Sequence, residues 1–171
     1  MPLIKPYRDV WPRIDTSAFI AENATLIGDV LVGPDVSVWY GVTIRGDVNN
    51  ITIGARTNIQ DGCVIHVSSY TQGTYVGEDV TVGHMALLHA CTIGNRVLVG
   101  MQACVMDDVQ IGDDVIIAAG ALVTPGKIIP AGQLWAGRPA RYVRDLTPDD
   151  IQMIKISAAK YVQLAQEYKD S

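Results

Sequence analysis

This 171-residue chain carries a single phenylalanine, three histidines and three cysteines. Cys63, Cys91 and Cys104 are odd in number and lack CxxC spacing, so they read as small buried hydrophobes rather than a disulfide or thiolate-zinc framework. No block of Lys or Arg stands out and the net charge is −5. Nucleic acid and anionic membrane surfaces are therefore poor partners. Gly, Asp and Thr interrupt the apolar residues every few positions, so no apolar run is long enough for a membrane span. The opening MPLIKPYRDV lacks the apolar core of a signal peptide, and a cytoplasmic protein is expected. At 49% hydrophobic and 18% charged, the chain is globular, and its length suits one domain. One Phe among many Val and Ile means a core of β-branched residues, which suit strands.

What the chain does have is a six-residue repeat. From Ile20 it reads IAENAT, LIGDVL, VGPDVS, VWYGVT, IRGDVN, then IGARTN, IQDGCV, IHVSSY after a short insertion. After a longer insertion come VGEDVT, VGHMAL and a five-residue LHACT. IGNRVL, VGMQAC, VMDDVQ, IGDDVI, IAAGAL, VTPGKI and IPAGQL follow. The lead residue is aliphatic throughout, Gly often follows it, and a small or β-branched residue usually sits four after it. A period of six fits no helical face, whereas a parallel β-helix explains it. Each unit is one short strand plus a turn, and three units close a triangular coil with the lead residues stacked inward. The units from Ile20 to Leu134 predict about six coils, each rising about 4.8 Å.

Residues before Ile20 read as irregular or as a covering strand, and Trp135–Leu146 as an exit segment. The period then changes. Thr147-Pro148-Asp149-Asp150 is a helix start with Thr as N-cap, Pro at the first position and acids in the first turn. Ile151, Ile154, Ala158, Tyr161, Ala165 and Tyr168 fall on one helical face. The expected organisation is a β-helix domain over residues 1–146 and a C-terminal α-helix over 147–169, packed along the coils as part of the same unit.

The register places the three histidines. The units led by Ile44, Ile65 and Leu88 stack on one side, and those led by Ile59 and Val82 on the preceding side. His66 and His89 directly follow their lead residues, so they occupy one column on adjacent coils and face outward. His84 lies two after Val82, too far round the prism to join them within one chain. A cyclic trimer resolves this, because one side of a subunit then faces a different side of its neighbour. His66 and His89 of one copy would meet His84 of the next, a three-imidazole ligand set typical of catalytic zinc sites. The same bookkeeping puts Arg45 in the His66/His89 column and Gln60 and Asp61 in the His84 column. Arg45 is then expected to meet Asp61 across the interface as an ion pair, Gln60 to approach the metal, and Asp47 to sit at a corner on the Arg45 side.

IRGDVNNITIGARTNIQDGCVIHV, VGHMALLHACTIG and VGMQACVMD together resemble the gamma-class carbonic anhydrases and their close homologues. The resemblance covers the repeat region and reaches into GRPAR and the helix. It implies a left-handed β-helix and a homotrimer with interface metal on His66, His84 and His89. It also implies an intersubunit Arg45–Asp61 pair, a Gln60 that hydrogen-bonds the metal's water, and Asp47 in the same pocket. Tyr161 matches a helix tyrosine that approaches the site. The metal is expected to be zinc, with iron or cobalt equally suited to three imidazoles, and the reaction is reversible hydration of CO2 to bicarbonate.

Two departures mark a shorter branch of that family. The loop after the first metal histidine is SSYTQGTY, with no acid where active members carry a proton-shuttling Glu. Val48 replaces a second Glu. Proton exit would then fall to water, Asp47 or Tyr161. Rival readings are a hexapeptide acyltransferase or thioesterase, which would need only one His base, and a catalytically weak trimeric accessory protein.

Overall fold

The computed structural model describes residues 1–170. It is a parallel β-solenoid of about seven turns with one C-terminal helix. Three faces recur in each turn. The histidine face carries Val64–His66 and Leu87–His89 in parallel register, Ile65 against Leu88 and His66 against His89. The strand Thr43–Ile53 lies beneath, with Ile44 against Ile65. That strand bends round a corner, and its second half pairs with Thr74–Val76 on the next face. The third face stacks Phe19–Ile20, Ser37–Val38, Asn58–Ile59, Thr81–Val82, Leu98–Val99, Ile116–Ile117 and Gln133–Ala136. The antiparallel strand Arg141–Asp145 closes its end.

The lead residues build the core. From Leu26 to Ile129 all are at most 3% exposed, and Ile20 alone is half-buried. Residues four after the lead point inward too, including Val42, Cys63, Ala86 and Ala103. Truncating a fully buried Ile65 or Leu88 to Ala would cost about 2–5 kcal/mol. Gly at one corner is a matter of space. A Cβ on Gly54 would lie 2.6 Å from the backbone of Gly77, and one on Gly94 would lie 2.7 Å from that of Gly112.

The structure differs from the expectation at the N-terminus. Leu3–Lys5 and Arg13–Ile14 stack in parallel on Thr25–Val32, so the first coil begins before Ile20 and the coil count rises from about six to about seven. This coil lacks the repeat because no coil lies beneath it to seal, and Leu3 and Trp11 stay more than half exposed.

Helix α1 spans Pro148–Lys169, capped by Thr147, whose side chain accepts from the Asp150 N–H while Asp150 accepts from the Thr147 N–H. It buries Ile154, Ala158 and Ala165 against the third face. Ser157 meets Thr81, and Lys169 reaches the Ser17 carbonyl, so α1 runs back toward the first coil. Trp39 is the hinge of this packing, with ring centroids 5.7 Å from Tyr161 and 5.1 Å from Tyr168. No helix among the described residues is long and apolar enough to cross a membrane.

Candidate metal centre

Strand alternation fixes where the histidines point. Ile65 and Leu88 are fully buried, so the residue after each faces out. His66 and His89 therefore stack on adjacent coils, ring centroids 5.2 Å apart. His66 Nδ1 lies 3.2 Å from His89 Nε2. The outer nitrogens are taken by carboxylates: His66 Nε2 lies 3.0 Å from Asp47 Oδ1, and His89 Nδ1 lies 2.7 Å from Asp107 Oδ1. A carboxylate only accepts, so those outer nitrogens carry the ring protons. The inner nitrogens then face each other at hydrogen-bond distance, an arrangement in which either a proton or a metal ion fits between them.

Asp47 is held in turn by Arg45. Partial burial pushes its carboxyl up, but hydrogen bonds from His66 and Arg45, and the Val48 N–H, outweigh this and hold it below the ordinary carboxylate range. Glycine makes the turn between Arg45 and Asp47, since a Cβ on Gly46 would meet the Asp29 carbonyl oxygen at 2.4 Å.

His84 occupies a different corner, where the third face gives way to the histidine face. Its Nδ1 lies 2.9 Å from Asp61 Oδ2, which leaves Nε2 open. With Gln60 and Tyr161 it lines a cavity of about 350 Å³ walled by apolar residues such as Leu98, Val99 and Met101. Gln60 is 4% exposed, and its Nε2 donates to Asn58 Oδ1 at 3.1 Å. Asn58 donates to Thr81 Oγ1 at 2.9 Å, and Thr81 meets Ser157 of α1 at 3.1 Å. This buried chain takes one hydrogen of the Gln60 amide nitrogen, which orients the group and leaves its oxygen to accept. Desolvation, then the nearby charge of Asp61, pushes the Tyr161 phenol above its ordinary value.

The residues singled out in the sequence thus form two half-sites. One holds Arg45, Asp47, His66 and His89. The other holds Gln60, Asp61, His84 and Tyr161. Within one chain Arg45 pairs with Asp47, and Asp61 with His84. Among the described residues no three His, Cys, Asp or Glu side chains converge on a common point. The stacked pair nonetheless fits an ion. Two nitrogens each about 2.0–2.1 Å from a tetrahedral metal lie about 3.3 Å apart, close to the 3.2 Å observed.

Comparison with known proteins bears on this site. A mitochondrial gamma carbonic anhydrase of Arabidopsis thaliana is 43% identical over 165 residues, 94% of this chain and 60% of that protein. The chain therefore spans about 60% of the length of such plant relatives. A carbonic anhydrase of Geobacillus kaustophilus is 44% identical over 167 residues, covering 98% of this chain and 91% of the relative. The chain belongs to the gamma carbonic anhydrase-like family. Residues 90–125 also match the bacterial transferase hexapeptide family (six repeats). Of the solved structures, one described as a putative acetyltransferase from Bacillus cereus superposes with a TM-score of 0.96 at 42% identity, covering 99% of this chain and 98% of the other.

Sequence reasoning missed four residues that the geometry brings in. Asn58 and Thr81 each precede a lead residue of the third face, so their stacking was implicit in the register. Ser157 follows from the helix period. Asp107 had no comparable signal, because Asp-Asp at a corner reads as turn chemistry.

Proposed function

We propose that this protein is a metal-dependent, carbonic anhydrase-like enzyme that interconverts CO2 and bicarbonate as a homotrimer. His66 and His89 of one copy and His84 of the next would hold the ion, zinc or else iron or cobalt. The observation that carries the reading is the pairing of each histidine with its own carboxylate, Asp47, Asp107 and Asp61, which leaves one nitrogen of each ring for a ligand. The division into two incomplete halves on different corners supports an assembly in which copies complete each other's sites. Where the halves meet, Arg45 would also reach Asp61 of the next copy, each keeping its contact within the chain, and the pair would set the register of the copies.

Bound between these imidazoles, such an ion supplies Lewis acidity and makes water a nucleophile near neutral pH. The chain's own residues do the rest. The Gln60 oxygen, fixed by Asn58, accepts a hydrogen bond and orients the attacking group. The apolar wall of the cavity suits uncharged CO2. Asp47, held below the ordinary carboxylate range, stays ionised and passes a proton on rather than keeping it. Tyr161, pushed up, stays protonated and serves as a donor. The 67–75 loop carries no acid, so proton exit through Asp47 and water would limit turnover. A hexapeptide acyltransferase would need one histidine base and gives no reason for three carboxylate-paired rings.

The test is purification under anoxic conditions, metal analysis, and stopped-flow CO2 hydration. One ion per chain and a rate that chelation abolishes are expected. A background rate from metal-loaded protein overturns the activity, and a monomer in light scattering overturns the shared site.

A further inference from the structure

Asp107 is the one carboxylate in contact with a histidine that neither the register nor the proposed reaction accounts for. It lies on the coil above His89, as Asp47 lies on the coil below His66, and the two acids bracket the stacked rings. Its contact, 2.7 Å from Oδ1 to His89 Nδ1, is the shortest of the three acid–imidazole pairs. Another acid of the Asp-Asp turns, Asp113, uses its side chain on the backbone, accepting the Asn95 N–H. Among the described residues no backbone N–H donates to the Asp107 carboxylate, and its partner is the imidazole alone.

The consequence is orientation. The His89 ring could flip about its outer bond and present carbon instead of Nε2 to His66. A hydrogen bond on Nδ1 removes that freedom and fixes the tautomer that leaves Nε2 as the lone-pair nitrogen. We infer that Asp107 is a positioning residue of the metal centre: it locks His89 with Nε2 turned toward His66 and so sets the affinity of the site. This rests on the metal reading above and goes one step past it, to an acid that touches no ligand position itself.

The test compares wild type, Asp107→Ala, Asp107→Asn and, as a neighbouring control, Asp108→Asn. Each is stripped of metal and titrated with zinc against a chromophoric chelator, and each is loaded with cobalt for its visible absorption spectrum. Asp107→Ala should bind zinc about 10–100-fold more weakly than wild type and shift the cobalt bands. Asp107→Asn, which keeps an acceptor but loses the charge, should fall between them, and Asp108→Asn should match wild type. Wild-type affinity and an unchanged cobalt spectrum in Asp107→Ala overturn the inference while leaving the metal centre standing. A wild type that binds neither zinc nor cobalt overturns both. Should Asp107→Ala fail to fold, Asp107→Asn decides, since wild-type affinity in that variant equally overturns a charge-dependent role.

Discussion

Asp35, Arg56, Asp79, Arg96 and Asp114 climb one corner of the solenoid, all in left-handed backbone conformation with φ between 53° and 58°. Asp47, His66, His89 and Asp107 climb another. In the first column the charges alternate, and each Arg grips the Asp of the next coil through two bonds, Arg56 on Asp79 at 2.7 and 2.8 Å and Arg96 on Asp114 at 2.7 and 2.9 Å. Both guanidiniums are pushed above their ordinary values, first of all by those bonds. Each guanidinium there meets carboxylates of its own chain. In the second column the acids sit at the ends and two ring nitrogens face each other in the middle, 3.2 Å apart. The same scaffold thus builds one column that is complete in the single chain and one that, in the function proposed above, a cation would complete.

The largest effect is expected from breaking the second column at its centre. His66→Ala should remove stoichiometric metal and lower CO2 hydration more than 100-fold, beyond the 10–100-fold typical of outer partners. Its stability should separate the two columns as well. Metal stabilises the wild type by about 4 kcal/mol when free ion exceeds Kd a thousandfold. The thermal midpoint of wild type should therefore rise with added zinc, and that of His66→Ala should not move. A zinc-dependent rise in the variant would sink the assignment of His66.

The contrast also shows what could be read from sequence. The period of six placed Ile44, Ile65 and Leu88 in one stack, and the strand register pairs them so. Neither insertion shifted that count, because the short one is absorbed where Thr43–Ile53 turns the corner and the long one is extruded as the 67–73 loop. The separation of His84 from His66 and His89 was legible for the same reason. The first coil was not, since an edge coil with nothing beneath it is under no pressure to keep aliphatic leads, and Leu3 and Trp11 are exposed there. Asp107 was not legible either. Asp107-Asp108 and Asp113-Asp114 are the same dipeptide, yet the first acid of one, Asp113, accepts from the Asn95 N–H and from Arg96 while the first acid of the other, Asp107, turns to His89. Only side-chain direction tells them apart, and that depends on which column lies next door.

A smaller effect is expected from Asp47→Asn, which keeps the shape of the second column and removes one charge. Zinc affinity should fall about 10-fold, the low end for an outer carboxylate. The pH dependence has a definite sign. A carboxyl held below its ordinary value contributes stability above about pH 4, where the unfolded chain is also ionised, and loses it as pH falls through the folded value. In metal-free protein the gap in thermal midpoint between wild type and Asp47→Asn should be present at pH 8 and close below about pH 4. A gap that persists unchanged through that acid range would show that Arg45 and His66 do not stabilise the anion.

The smallest effect is expected in the first column, although it looks the better bonded. Arg56 is 43% exposed and Asp79 30%, so water screens the pair and the guanidinium's long stem loses entropy on being fixed. Arg56→Ala should cost about 0.5–1 kcal/mol of stability despite three bonds, two to Asp79 and one to Glu78. The left-handed backbone at residue 56, φ 58°, strains Ala much as it strains Arg and adds little to the difference. Zinc affinity, cobalt spectrum and CO2 hydration should all match wild type, because the column lies on another corner from either half-site. If Arg56→Ala weakened metal binding as much as Asp47→Asn, the two corners would be coupled through the coils. The contrast between a self-contained column and a cation-completed one would then fail.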